Sequence, residues 1–333
     1  MHHMYTVGLD VDKYNLVFTT KILLYAGNSF INNSLVLSTN ETIYLLLNYL
    51  EGQSAGNFSF STRATAVTNN TYNKLPKISE HRPKLKKNLS DEELGYFLAG
   101  LIEGAGSFEK KELHIVFTEK DVYLAYYLKS CIGYGNICKI KEKKAVRYTC
   151  KHMKGLFYIL SLINGKLIGN YKYEQLILHN YSEDFNINIL PPLKKLSMNN
   201  HWLAGFTQVK GNFYISVVTS KTNKTGYSIR LEYYLKENNN FPLKLLYYLL
   251  KKGKIFQDDA DKWCYKSSGY KTAVNLIHYF DKYSVFGGKY ISYLKFRKVY
   301  IMITEGKHLE DKGIKKIISI ATKGSSETST QEI

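Results

Sequence analysis

Hydrophobic and polar positions fall into a repeating order over the last two thirds of the chain. Asn212 to Ser220 alternates Phe213, Ile215 and Val217 with Asn212, Tyr214 and Ser216. Tyr227 to Leu235 alternates Ile229, Leu231 and Tyr233 with Ser228, Arg230 and Glu232. A period of two with one polar face predicts a half-buried antiparallel hairpin. Apolar stretches of helical character predict helices over Val122–Ile132 and Lys154–Ile163, and again over Pro242–Lys251 and Tyr270–Tyr283. Second hairpins are expected near Gly135–His152 and Gly253–Ser267. A helix opens each set, the first with Asp91 behind Ser90 as N-cap chemistry. The order α-β-β-α-β-β-α is thus predicted twice.

The two sets also share a string. Leu98-Ala99-Gly100 recurs about 105 residues later as Leu203-Ala204-Gly205. A repeat of that length is a domain duplication, not a solenoid. The expected division is an N-terminal extension over 1–90, a first unit over 91–182, a linker over 183–196, a second unit over 197–322 and a polar tail over 323–333. The linker holds Pro191-Pro192 and Lys194-Lys195. Within the extension, Thr42–Leu50 reads as a short helix. Lys74–Lys87 carries six basic residues with prolines at 76 and 83, the pattern of an extended basic arm.

Each opening helix concentrates small residues: Ala99, Gly100 and Gly104 in the first, Ala204 and Gly205 in the second. Gly costs a helix about 1 kcal/mol relative to Ala. Its use here predicts close approach of two helix backbones, with the two copies as partners.

Composition narrows the class. The 333 residues carry 46 Lys+Arg against 28 Asp+Glu, a formal net charge of +18. That surplus points to an anionic partner, nucleic acid or a membrane surface, although Lys-, Asn- and Tyr-rich usage also follows from an A+T-rich genome. No apolar run approaches the ~18 residues of a spanning helix. No basic amphipathic helix of interfacial type is evident. Cys131, Cys138, Cys150 and Cys264 form no C-x-x-C pair, which predicts reduced thiols.

The motifs Leu98–Gly106, LAGLIEGAG, and Leu203–Gly211, LAGFTQVKG, each followed by an alternating strand, resemble the two-motif LAGLIDADG family. That family comprises intron-encoded homing endonucleases and related RNA-splicing maturases. The resemblance spans roughly residues 90–320. It implies an α+β fold of two pseudo-twofold αββαββα units, whose antiparallel sheets form a saddle over DNA. It further implies a monomer whose motif helices end in one carboxylate each, holding divalent metal for phosphodiester hydrolysis.

The family's metal-binding acid precedes the last motif glycine. This chain has Ala105 and Lys210 there. Glu103 remains acidic, but it lies about 200° around the helix from Ala105. Glu109 and Glu112 are other nearby acids. Lys172 and Lys289 match the family's basic residue near the scissile phosphate, and with Glu103 they are the candidate catalytic set. Lys139 and Lys141, Arg147 and Lys151, and Arg230 are the candidate nucleic-acid contacts, each placed by alternation on a polar strand face.

The N-terminal string from His2 to Asp12 resembles a segment of mitochondrial cytochrome c oxidase subunit I, as an intron frame fused to its upstream exon would. The implied setting is mitochondrial encoding. Three readings follow: a cleavage-impaired maturase acting on its host group I intron RNA, an active double-strand DNA endonuclease at an intron-insertion site using Mg²⁺, or a decayed frame keeping only the fold. No metal site is certain from the residues.

Overall fold

The computed structural model describes residues 10–12, 15–17, 88–141 and 143–328, with side chains over 88–141 and 143–322. Contacts divide the chain into Met1–Ala66 and Val67–Ile333. The first unit holds a short antiparallel hairpin, β1 (Asp10–Asp12) with β2 (Asn15–Val17). The expected helix over Thr42–Leu50, the arm over Lys74–Lys87 and the His2–His3 pair lie outside the described residues.

The second unit holds both repeats. In the first, α1 (Asp91–Ala105) leads into β3 (Gly106–Glu109) and β4 (Glu112–Thr118). Then come α2 (Val122–Ile132), β5 (Asn136–Ile140), β6 (Ala145–Cys150) and α3 (Met153–Ile163). Two helices not expected from the pattern follow, α4 (Asn170–Leu178) and α5 (Tyr181–Phe185). The second repeat runs α6 (Trp202–Lys210), β7 (Gly211–Thr219), β8 (Tyr227–Glu237), α7 (Phe241–Leu250), β9 (Lys254–Gln257), β10 (Trp263–Ser267) and α8 (Tyr270–Lys282). It too continues, with α9 (Gly287–Thr304) and α10 (Asp311–Thr328). The last helix extends into the segment read as a polar tail.

Each repeat builds one four-stranded antiparallel sheet, ordered β3-β4-β6-β5 and β7-β8-β10-β9. One face of each packs on helices through residues such as Leu113, Ile115, Phe117 and Tyr148, or Phe213, Leu231, Tyr233 and Tyr265. The other face is polar. The duplication reaches small details. Gly135 and Gly253 both hold positive φ, +113° and +106°, and a Cβ at either would strike the ring of Tyr148 or Tyr265. Those tyrosine hydroxyls donate to the carbonyls of Tyr134 (2.8 Å) and Lys252 (2.6 Å).

Local chemistry fixes the two motif helices. Ser90, not Asp91, is the N-cap of α1. Its side chain accepts from the Glu93 N–H, and the Glu93 carboxylate accepts from the Ser90 N–H, a reciprocal capping box. His201 at the start of α6 makes no side-chain cap, and Asn200 Oδ1 accepts from the Trp202 N–H at 3.0 Å. The Tyr279 hydroxyl of α8 accepts from the Ala204 N–H as well, at 2.9 Å.

The two helices cross at backbone contact. A Cβ on Gly100 would lie 2.0 Å from the Trp202 carbonyl oxygen, and one on Gly205 would lie 2.0 Å from that of Phe97. Gly104 meets Val209 and Lys210. Ala99 and Ala204 are fully buried. The small residues therefore do what their presence predicts. The linker is docked on the first repeat: Asn164 bonds the Asn188 carbonyl and the Leu190 N–H, and Leu193 N–H donates to Leu167.

Candidate functional site

Both motif helices run straight into strands at Gly106 and Gly211, so their C-terminal ends meet at the centre of the molecule's second unit. A cavity of about 770 Å³ opens there, lined by Gly104, Ala105, Lys210, Asn212, Glu237 and Lys289 among others. Helix C-termini leave carbonyls without intrahelical partners and carry partial negative charge. A lysine answers each end. Lys172 Nζ donates to the Gly106 carbonyl, and Lys289 Nζ donates to that of Gly211. Lys289 also donates to Asn212 Oδ1 at 2.7 Å. Both lysines are buried. Burial pulls the Lys172 ammonium below its ordinary range, against the opposing pull of Glu103 and Glu237. Burial brings Lys289 down to about 8, with Asp121 partly holding it up. Asp121, whose carboxyl accepts from the Thr118 hydroxyl at 2.9 Å, is itself pushed upward by burial.

The two family metal-acid positions carry no acid. Ala105 offers no donor atom. Lys210 directs its ammonium at Glu237, with Nζ 3.3 Å from Oε2. Glu237 sits at the end of β8 and is nearly buried. A divalent cation needs several oxygen ligands; here one of the two central side chains is itself a cation, ion-paired to the carboxylate of Glu237. Among the described residues no three His, Cys, Asp or Glu side chains gather as a metal site. The residues present do not fit the family's metal.

Glu103 is partly buried and does not face this centre. Its Oε1 accepts the N–H groups of Ile168 (2.7 Å) and Gly169 (2.8 Å). Burial pushes its carboxyl up to about 7, while those backbone donors and Lys172 oppose the shift. Of the candidate catalytic set, Lys172 and Lys289 lie beside the motif ends, and Glu103 turns to a helix start. Glu109 is exposed, and Glu112 pairs with Lys151 at 2.7 Å.

Strand register places the candidate contacts. His114 pairs across from Thr149 and Val116 from Arg147, so Arg147 lies on the polar face of the first sheet. Lys151 follows β6 two residues after Thr149. Cys138 lies opposite Arg147, which puts Lys139, opposite the buried Val146, on the other face of that edge strand. Lys139 instead pairs with Glu119 at 3.2 Å. Its expected place on the polar face of the sheet is corrected: on an exposed edge strand, Lys-Ile-Lys alternation is compatible with either face. Lys141 is exposed in the β5–β6 turn. In the second sheet Arg230 is exposed opposite Ser216, on the face shared with Asn212, Tyr214 and Lys266. Lys266 is tied to Glu232 at 2.9 Å.

Sequence reasoning passed over Glu237, Asp121 and Gln208. The repeat itself held a signal for Gln208, which aligns with Glu103; Glu237 ends β8 and Asp121 lies in the turn between β4 and α2, with no motif to mark either.

Two four-stranded antiparallel sheets joined through a pair of close-packed motif helices define a duplicated LAGLIDADG fold. A sequence profile described as LAGLIDADG endonuclease matches residues 203–300. A 37.2 kDa protein of cox1 intron 2 in Schizosaccharomyces pombe is 36% identical over 270 residues, covering 79% of this chain and 82% of the relative. Intron-encoded DNA endonuclease aI3 of Saccharomyces cerevisiae is 25% identical over 344 residues, covering 86% and 80%. The solved structure of the LAGLIDADG meganuclease I-AabMI bound to uncleaved DNA is similar with a TM-score of 0.56 at 22% identity, over 68% of this chain and 98% of that one. The I-LtrWI LAGLIDADG homing endonuclease bound to target DNA gives 0.53 at 19%, over 70% and 98%. The chain belongs to the LAGLIDADG family of intron-encoded homing endonucleases.

Proposed function

We propose that this chain is a mitochondrially encoded nucleic-acid-binding protein, impaired in cleavage, that acts as a maturase on its host group I intron RNA. One observation carries the reading: at the two positions where the family keeps metal-binding acids stand Ala105 and a Lys210 ion-paired to Glu237. Two-metal hydrolysis needs oxygen ligands on both sides of the scissile phosphate. An ammonium there repels the metal yet suits a phosphate backbone. RNA binding and folding assistance need no carboxylate pair. The net charge of +18 supplies sequence-independent affinity. Arg147 and Arg230, exposed on the polar faces of the two sheets, supply contacts that depend on register. The protein works as a monomer in this reading, since both motif copies lie in one chain.

The test uses the purified full chain with Mg²⁺, the host intron RNA and the intronless exon-junction duplex. Expected are tight RNA binding, faster splicing at near-physiological salt and no nicking of the duplex. Cleavage at ordinary enzyme rates would instead support the DNA endonuclease. Splicing that proceeds equally well without the protein would sink the maturase role, and salt-sensitive binding without preference would mark a decayed frame.

A further inference from the structure

Glu103 and Gln208 occupy the same position of the two motifs, and both bond the start of another helix. Glu103 Oε1 accepts from Ile168 and Gly169, and Gly169 is the residue from which α4 starts. Gln208 Oε1 accepts from the Phe286 N–H at 2.8 Å, and its Nε2 donates to the Phe286 carbonyl at 3.3 Å; Phe286 starts α9. Neither Gly169 nor Phe286 supplies a side-chain cap. The first N–H groups of a helix have no intrahelical acceptor, so the motif side chain provides one from outside.

The third residue of each capped helix is the buried lysine, Lys172 in α4 and Lys289 in α9. Each lysine reaches back to the last glycine of the motif that caps its helix. Motif helix and lysine helix are therefore tied at two points, and the arrangement occurs twice with different chemistry. We propose that Glu103 and Gln208 are positioning residues that fix Lys172 and Lys289 at the motif ends. The helix start carries partial positive charge, which disfavours a buried ammonium in the first turn. In the first repeat the Glu103 carboxylate offsets both. In the second, Gln208 is neutral and Asp121 provides the negative charge near Lys289. A Cβ on Gly169 would lie 3.0 Å from Glu103 Oε2, so the carboxylate packs against the backbone it caps.

The value of the arrangement to nucleic-acid binding rests on the function proposed above; the arrangement itself is read in the free full-length protein. Lysine acylation by acetic anhydride, followed by peptide mass spectrometry, reports Lys172 and Lys289 separately. Glu103→Ala is expected to raise Lys172 labelling about tenfold and leave Lys289 near its original rate, since local opening exposes only groups in the loosened segment. Gln208→Ala is expected to do the reverse. Glu103→Gln and Gln208→Glu are expected to keep both lysines protected. Lys172 unaffected by Glu103→Ala, or both lysines exposed together, would overturn the proposal. Should the alanine variants fail to fold, Glu103→Gln carries the test through the pH profile. Around Lys172 stand Glu103, Glu237 and Lys210. Removing the Glu103 charge is expected to move the Lys172 labelling midpoint to lower pH and leave that of Lys289 in place; an unmoved Lys172 profile would overturn it.

Discussion

Gly205→Ala sets two known quantities against each other. In an isolated helix the change gains about 1 kcal/mol of propensity. Here the new methyl carbon would lie 2.0 Å from the Phe97 carbonyl oxygen, 2.9 Å from its carbon and 3.1 Å from the Leu101 nitrogen. The obstacle is backbone, so no rotamer relieves it. Ordinary contact begins near 3.4 Å, so α1 and α6 must part by about 1.4 Å. A gap of even 0.5–1 Å forfeits roughly a quarter to a half of the dispersion attraction across it. The seam is lined by the fully buried Phe97, Leu101, Trp202 and Phe206. Overpacking of this kind costs about 3 kcal/mol or more, which exceeds the propensity gain. We expect a net loss of about 2–3 kcal/mol, a fall in Tm of roughly 5–10 °C for a unit of this size. Gly100→Ala, opposed by the Trp202 carbonyl at 2.0 Å, should behave alike. The double variant should cost less than the two together, because helices already parted accommodate the second methyl. Gly288→Ala, with nothing within 4 Å, is the control and should be neutral or slightly stabilising. Urea and thermal unfolding measure all four. If Gly205→Ala and Gly100→Ala match the Gly288 control, the helices are not in backbone contact and the seam described above is wrong.

The carboxyl of Glu103, raised from 4.5 to about 7, makes stability depend on pH. Between those values the folded state holds a proton that the unfolded state has released, so this contribution is present at low pH and is lost as pH rises through about 7. It amounts to about 3 kcal/mol, and urea titrations at pH 5 and 7.5 should show Glu103→Gln lacking that decline; parallel curves would refute it. Ala105→Asp combined with Lys210→Glu gives the centre two new carboxylates beside Glu237. Mn²⁺ should then raise the Tm of the variant and not that of the natural sequence, and equal shifts in both would contradict the account of the motif ends. Arg147→Ala and Arg230→Ala should each lower the slope of log affinity against log salt by about 1 if the residue contacts a phosphate, read by titrating labelled intron RNA at several salt concentrations.

What was legible in the sequence was what repeats. The doubled Leu-Ala-Gly and its small neighbours predicted helix pairing, because a glycine costly to each helix recurs at the same place in both copies, where close backbone approach offsets the cost. Alternation over Asn212–Leu235 predicted the hairpin, because one face is buried. Resemblance matched Lys172 and Lys289 to a basic residue near the scissile phosphate; their bonds to the Gly106 and Gly211 carbonyls were not readable from it. The misses have physical reasons. Lys139 sits on an edge strand, where exposure on both sides erases the difference between faces. Helix α9 is enclosed on several sides, so Leu294, Phe296, Val299 and Met302, which point in different directions around the axis, are all buried and no single stripe shows. Ser90 and Asp91 are both capping residues, and only the reciprocal bond with Glu93 decides between them. Glu103 is an acid in the sequence, but its bonding to Ile168 and Gly169 depends on a helix more than sixty residues away.

The docked linker has a consequence for assembly. Leu193 is held to Leu167 and Leu196 is buried, so only residues 197–201 run from that core position to the start of α6. Once the first repeat has folded, the second motif helix is tethered next to its partner at an effective concentration on the order of millimolar or above. What could have been a search between two domains becomes closure of a short loop, whose entropic cost grows only slowly with length. The seam should therefore form early, with the second sheet condensing onto a helix already in place.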